Sequence, residues 1–563
     1  MWWFLLLINA FCVQGYPFQN VSLSWDARVN DLVSRLTLEE LVMQMQQGGG
    51  GSAPPIQRLG VAPFQWDTEC QHGMNAQNTT SFIQDLGFGA SFSRDLQRSV
   101  AEAISIEVRA IYQMYAKQGV YSEHTGINCL NPISSIMRDP RWGRSQETYG
   151  EDPYLSGQLV QEHVRGMLGN HPRYFRTGTT CMWFDVHGGP ENIPVKRFAF
   201  DSKVSERDWR TTFLPSFRHC VNSGSTSVMC SYNSINGIPT CANKKLLTDI
   251  LRNEWGFQGF VTTDEEAVEN IILAHHYLNS TVDTAAAAIN AGVNLELWAG
   301  LGNSLETEGH DRYDLELPGK QQQLLEDVVQ FAGVAKIVLI TFNANPTNIT
   351  WAQNNSRISA IIAAFYPGQA TGAALKAVMT SPRTPQFGRL PYTWYVSVDQ
   401  VPAITNYTME GRTYRYFNGE PLYPFGYGLT YTKFYYDFLQ VSDVLTAGDE
   451  LRGIVNVENI GALPGDEIIQ VYLSWDDPSV TSPQIQIVAF ERFTVDYGST
   501  VTYKFTVSPE NMAVWTDDKG WVIEEGNITL YVGGQQPNQK KSVGSNVLSK
   551  SVRIVGSKDL GYY

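Results

Sequence analysis

Carboxylates are the residues best placed to do chemistry in this chain. Asp264 closes the run Gly259-Phe260-Val261-Thr262-Thr263-Asp264, an apolar strand signal ending in a polar tip. Glu306 and Glu308 lie in the polar loop Leu305-Glu306-Thr307-Glu308-Gly309-His310-Asp311-Arg312. Two carboxylates from different units, meeting over a sugar, can cleave a glycosidic bond, but spacing alone does not show that they meet. Blander readings compete, and composition alone favours the bland one for the acidic loop. Asp264 can be the N-cap of the helical run that follows it, and the acidic loop can be solvated surface. Other chemistries lack their signatures: there is no GxSxG elbow, no HExxH and no phosphate loop. No CxxC pair suggests a zinc cluster, so neither a metal nor an organic cofactor is expected.

Positioning these groups falls to alternating helix and strand signals over the first 300 residues. Thr37-Leu38-Glu39-Glu40 is a capping box opening the apolar helix Leu38 to Met45. A long helix follows Ser93, with Val100, Ala103, Ile104 and Val108 on one face. Ser227 to Tyr232 and Gly259 to Asp264 read as strands with polar ends, and Glu265 to Leu278 as a helix. This is the rhythm of a (β/α) barrel, whose chemistry sits at the C-terminal strand ends, where Tyr232 and Asp264 fall. Lys336 to Phe342 and Ile358 to Phe365 read as buried strands, and Gly368 to Met379 as a helix. In the last 130 residues, Val501, Tyr503, Phe505 and Val507 alternate with polar residues, as do Ile528, Leu530 and Val532, at sandwich-like spacing. The expected units are a leader over 1–15, a barrel-type domain over 16–300, a partial α/β domain over 301–395, a turn-rich aromatic linker over 396–430 and a β-sandwich over 431–563.

The chain's 563 residues suit three or four units, and 43% apolar against 17% charged residues allows sizeable cores. Lys and Arg total 41 against 56 Asp and Glu, a net charge of −15 with no basic run, which argues against nucleic acid as partner. The 14 Trp and 27 Tyr suit stacking on sugar faces as well as large cores. Trp2 to Val13 is apolar, uncharged and too short to span a bilayer, and reads as a secretory leader ending near Gly15. No later stretch is long enough to cross a membrane. Sequons at Asn20, Asn78, Asn279, Asn348, Asn354, Asn406 and Asn527 agree with secretion. The six cysteines after the leader are then expected in disulfides, with Cys230 and Cys241 flanking a short loop as a plausible staple.

Several motifs together resemble glycoside hydrolase family three. They are Arg138-Asp139-Pro140-Arg141-Trp142-Gly143-Arg144, with Glu147 and Gly150-Glu151-Asp152-Pro153 after it. Further pieces are Val204-Ser205-Glu206-Arg207-Asp208, Met229-Cys230-Ser231-Tyr232-Asn233, Glu254-Trp255-Gly256-Phe257-Gln258-Gly259 and Pro424-Phe425-Gly426-Tyr427-Gly428-Leu429. The resemblance spans nearly the whole mature chain and looks strongest to the β-xylosidases. It implies a retaining exo-glycosidase with a C-terminal fibronectin-III-like domain. By position, Asp264 matches the nucleophile and Glu306 the acid/base, with Glu308 the fallback. Glu69 matches the carboxylate that binds sugar hydroxyls, Arg144 a charged donor to the sugar, and Tyr232 a group beside the nucleophile. The β-glucosidases carry Asp where Glu69 stands. One further methylene can fill the space of a hexose hydroxymethyl group, which favours a pentose.

Two departures stand out. Met182 and Trp183 occupy the positions of a Lys-His pair that donates hydrogen bonds to the sugar, although Trp183 can still stack on a ring. Only nine residues separate Glu296 from Glu306, where the family has the end of the barrel and half an α/β sandwich domain. The ring of strands is therefore open to being incomplete. The expectation is an enzyme releasing β-D-xylosyl units from the non-reducing ends of xylo-oligosaccharides. The alternatives are a β-glucosidase, an α-arabinofuranosidase or an inactive sugar-binding relative. An oligosaccharide is the expected partner, outside the cell.

Overall fold

The computed structural model describes residues 15–45, 52–294, 306–331, 336–380 and 387–562. Apart from Gly15, the expected leader lies outside the described residues, as does the boundary expected near residue 300. A parallel half-barrel forms the N-terminal core. Its strands, β1 (Asn128–Cys129), β2 (Gly178–Phe184), β3 (Ser227–Cys230) and β4 (Phe260–Thr263), stand side by side in chain order. Every residue of β2 and β3 is buried, because helices cover one face and packed side chains fill the other. The long helix expected after Ser93 runs Arg94–Lys117 and buries Ala101, Ile104 and Val108. The inner face is filled by Leu130, Ile133, Trp142, Met182, Trp183 and Met229. After β4 the helix Thr281–Ala291 brings the chain back along the open edge. There the Asn294 N–H donates to the Val261 carbonyl at 2.7 Å, and the Val261 N–H donates to Asn294 Oδ1 at 2.8 Å.

The helix expected over Glu265 to Leu278 shrinks to Asn270–Leu273. Glu266 has φ of 56°, a left-handed conformation that stops a helix from propagating directly off the strand end. The capping box at Thr37 forms as read, with Thr37 N–H donating to Glu40 and Glu40 N–H to the Thr37 hydroxyl. The six cysteines pair as Cys70–Cys129, Cys181–Cys220 and the expected staple Cys230–Cys241. The first ties the segment around Glu69 to β1, and the third pins the loop that follows Tyr232.

The α/β unit is small. Strands Ile337–Thr341 and Ile358–Ala363 pair in parallel, next to the helices Thr350–Asn354 and Thr371–Thr380. Its core is shared with Leu86 and Met137 of the half-barrel and with Leu390, Tyr392 and Trp394. The C-terminal unit is a sandwich of two sheets. One contains Phe434–Val441, Leu451–Asn459 and Thr500–Val507; the other is built on Gly465–Trp475, Gln486–Val495, Gly526–Gly533 and Val547–Val555. The alternation read from sequence is realised: Tyr503, Phe505 and Val507 are buried while Thr502, Lys504 and Thr506 face solvent.

The linker binds the units together rather than merely joining them. Arg412, fully buried, pairs with Asp139 at 2.6 Å. Arg389 pairs with Glu467 of the sandwich at 2.9 Å, also out of solvent. Tyr414 donates its hydroxyl to Asp152 of the half-barrel and accepts the Ile487 N–H of the sandwich, while its ring stacks on Phe425.

Candidate active site

Asp264 follows the last residue of β4, and its backbone N–H donates to the Cys230 carbonyl at the end of β3. Its carboxylate Oδ1 accepts from the Tyr232 hydroxyl and from the Glu265 N–H, both at 2.9 Å, and Oδ2 has no partner among the described residues. The N-cap reading fails on this geometry, since no helix begins at Glu265. Burial pushes the Asp264 carboxyl above its usual range, and the Arg197 and Arg144 charges partly offset that. Tyr232 sits in the bend after β3, where the Cys230–Cys241 staple and a hydrogen bond between its carbonyl and His275 hold its backbone.

Facing Asp264 is a pair of guanidinium groups. Arg144 is locked by a two-pronged pair with Glu147, at 2.8 Å on both prongs, and lies 3.8 Å over the ring of Trp183. Glu147 in turn accepts from Gln71. Arg197 pairs with Glu191 and lies over the Tyr232 ring. Between them they hold Glu308, at 3.2 Å from Arg144 and 2.6 Å from Arg197. The Arg144 charge, then Arg197, keeps the Glu308 carboxyl below its usual range against the opposing effect of burial.

The loop bearing Glu308 is anchored by its neighbours. Asp311 accepts N–H bonds from Gly143, Glu191 and Asn192, and the Arg312 N–H donates to the Arg141 carbonyl. A tight turn from Thr307 to His310 then separates two glutamates that are two residues apart. Glu308 lines the cavity that contains Asp264. Glu306 does not. Its Oε1 accepts from the Ala344 N–H at 2.9 Å and the Tyr366 hydroxyl at 2.5 Å, and its Oε2 from Asn345 and Arg312. The carboxylate matched to the acid/base from sequence is therefore turned into the α/β unit, and the fallback takes the cavity.

The cavity holds about 480 Å3, and its lining includes Glu69, Arg144, Met182, Trp183, Tyr232, Asp264 and Glu308. Every other residue expected at the site is thus brought together. Trp183 is buried and one face of its ring carries Arg144, so it supports a cation there instead of offering that face to a sugar. Glu69 is pushed up to about 8 by burial, reinforced by the negative charge of Asp67. Asp67 is itself pushed up to about 7 by burial and by Glu123 and Asp264. Sequence reasoning gave no role to Asp67 or Arg197. Asp67 stands two residues before Glu69 in the same segment; Arg197 has no local motif and acts only through the fold. No group of residues with metal-ligating geometry occurs among the described residues.

A model of the glycosyl hydrolase family 3 N-terminal domain matches residues 37–305, and a fibronectin type III-like domain matches 467–536. Residues 37–305 form a glycosyl hydrolase family 3 N-terminal domain. Similar proteins include β-D-xylosidase 3 of Arabidopsis thaliana, 25% identical with 94% of each chain covered, and an exo-1,4-β-xylosidase of Emericella nidulans, 27% identical with 94% of each covered. The first alignment runs over 745 positions, more than this chain's 563 residues, so that relative carries segments with no counterpart here. Among solved structures, a family 3 exo-β-xylosidase in complex with a xylobiose aziridine probe superposes with a TM-score of 0.85 at 20% identity, covering 97% of this chain and 94% of the other. A family 3 β-glucosidase of Bifidobacterium adolescentis gives 0.73 at 21% identity, with 92% and 95% covered. The likeness establishes the family 3 fold, half-barrel and sandwich included. Asp311, which accepts the Glu191 N–H, seats the acidic loop of this shorter chain against the half-barrel.

Proposed function

We propose that the chain is a retaining exo-glycosidase that releases β-D-xylosyl units, with Asp264 as nucleophile and Glu308 as acid/base. The observation that carries this reading is that both carboxylates line one cavity with Arg144, Arg197 and Glu69, while Glu306 is occupied elsewhere. In the first step Asp264 Oδ2, the oxygen without a partner, attacks the anomeric carbon as Glu308 gives its proton to the leaving oxygen. In the second, Glu308 takes a proton from water, which attacks the same carbon and frees Asp264. Tyr232 steadies the other nucleophile oxygen. Glu308 must hold a proton to start the cycle. A sugar hydroxyl that draws Arg144 or Arg197 away relieves the charge that keeps it ionised.

A xylosyl rather than glucosyl group is favoured by the extra methylene of Glu69 and by the names of the curated relatives, one of which is a β-xylosidase/α-L-arabinofuranosidase of Medicago sativa. Secretion is part of the same proposal. All six cysteines after residue 15 are paired, and six of the seven sequon asparagines are exposed. A second reading, an inactive sugar-binding relative, rests on Met182, which brings no charged donor to the cavity. A 2-deoxy-2-fluoroxylosyl fluoride separates the two. Mass spectrometry of a peptide carrying the sugar ester on Asp264 supports the enzyme. Reversible binding with no ester supports the sugar-binding relative, and an ester on another carboxylate overturns the nucleophile assignment.

A further inference from the structure

A second cleft lies where the half-barrel's outer helices meet the linker and the sandwich, and it shares no lining residue with the catalytic cavity. Its inner part holds about 100 Å3 and opens into a groove of about 520 Å3, with Tyr154, Arg218, His219 and Trp255 lining both. Four arginines reach the inner part: Arg207, Arg210, Arg218 and Arg415; the carboxylates on its lining are Asp152 and Glu510. Arg210 is balanced by Glu206 and Glu254. Arg415 is not balanced by an ion pair among the described residues. It is buried at 3% exposure, and its guanidinium donates only to neutral oxygens of Thr211, Thr212 and Gln486, at 3.2–3.4 Å. Asp152 lies near enough to feel that charge, but its carboxylate is engaged by Tyr414 and the Leu155 N–H. Arg207 makes no hydrogen bond or ion pair among the described residues.

Unpaired donors concentrate here. Arg207 Nε, Arg415 Nε, Trp255 Nε1 and Trp515 Nε1 are each buried without an acceptor, and all four residues line this one cleft. Buried polar groups in folded chains are normally satisfied, and four N–H groups without a protein acceptor beside one arginine-lined cleft suit an acceptor-only group. Of the two indoles, Trp515 is buried under Arg210, and the partly exposed ring of Trp255 sets the rest of the ligand. A flat, apolar sugar face matches that ring, while the guanidinium groups match a carboxylate in the fork geometry that arginine favours.

We propose that this cleft is a second carbohydrate site, which takes the carboxylate of a uronic-acid-bearing oligosaccharide and lays the adjoining sugars along the groove. It would hold an acidic branched chain on the enzyme independently of the catalytic cavity.

The test is calorimetric titration of the full chain, as the Asp264→Asn variant so that nothing is turned over. The ligands are xylotetraose and a glucuronic-acid-substituted xylo-oligosaccharide of equal backbone length, with sodium sulfate as an inorganic competitor. The proposal expects an additional binding event for the acidic ligand alone. Arg207→Gln, and separately a rise in salt, should weaken that event by about tenfold, the scale of losing one charge-assisted contact. Trp255→Phe, which keeps an aromatic ring but removes the indole N–H, should weaken it severalfold. Both variants should leave xylotetraose binding unchanged and keep the parent's melting temperature. Equal stoichiometry for the acidic and neutral ligands overturns the proposal, as does an acidic event untouched by both variants. Displacement by millimolar sulfate as effective as by the free uronic acid would overturn the sugar assignment and leave a plain anion site.

Discussion

Glu306 and Glu308 differ by two positions and should fail in opposite ways when each is changed to Gln. Glu308 lies in the catalytic cavity between Arg144 and Arg197, and its side chain is 37% exposed. Its ion pairs are partly wet and contribute at most about 1 kcal/mol to folding. Its removal as acid/base should cost roughly 10²–10⁴ in kcat/KM, or about 3–5 kcal/mol of barrier. Glu306 is the reverse case. Its side chain is 5% exposed and meets four donors, the Ala344 N–H, the Tyr366 hydroxyl, Asn345 and Arg312. An amide there puts its NH2 against donor groups on one side, costing roughly 2–4 kcal/mol of stability at 1.5–3 kcal/mol per charged hydrogen bond. The assay is kcat/KM on aryl β-xylosides of graded leaving-group pKa, together with the thermal midpoint of each variant. For Glu308→Gln the loss should be largest with the poorest leaving group and small with dinitrophenolate, at an unchanged midpoint. Glu306→Gln should lower the midpoint and keep most of the rate at low temperature. A Glu306→Gln enzyme with a normal midpoint and a hundredfold rate loss, beside a healthy Glu308→Gln enzyme, would refute the reasoning.

Arg197→Gln removes one of the two charges that hold Glu308 ionised, so its pKa should rise and the basic limb of kcat/KM should move to higher pH; a limb that stays put removes Arg197 from that role. Burial pushes Glu69 up to about 8, so if it contacts the sugar its loss of a proton should be felt as the pH rises through that value. The xyloside profile should bend near that pH, and Glu69→Gln should abolish the bend. Glu69→Asp should narrow the preference for aryl β-xyloside over β-glucoside, read as the ratio of the two kcat/KM values. Met182→Lys adds a cation beside Glu69 and Asp67, and a new charged donor to the sugar should raise kcat/KM by about tenfold or more; an unaltered rate would show that this wall does not touch substrate.

The barrel rhythm was legible in β3 and β4, short apolar runs closed by the polar ends that hold Tyr232 and Asp264, whereas the two-residue β1 and the threonine-rich start of β2 carry no such signal. The sandwich was legible through strict alternation, as at Tyr503, Phe505 and Val507. What escaped is set by single backbone angles and by distant partners. Glu265 to Leu278 has helical composition, but the positive φ of Glu266 breaks it. Whether Glu306 or Glu308 enters the cavity depends on a four-residue turn, and on Ala344, Asn345 and Tyr366, none of which is near in sequence. Arg197 reaches the site through pairing with Glu191 and contact with Tyr232, again a product of tertiary structure. Trp183 was expected to be free to meet a sugar, and only the position of Arg144 shows that one of its faces is taken.

Tyr414 touches all the large pieces of the molecule at one point: its hydroxyl belongs to Asp152 and Ile487 at once, and its ring to Phe425. A side chain that completes both domains leaves neither with a finished surface when the other departs. The sandwich is thus no detachable appendage: excising it would take the Ile487 N–H from Tyr414, leave the buried Arg389 without Glu467, and expose the linker's aromatic face. Heating should then show one cooperative transition rather than two, and limited proteolysis should yield the intact chain or small peptides, with no stable half.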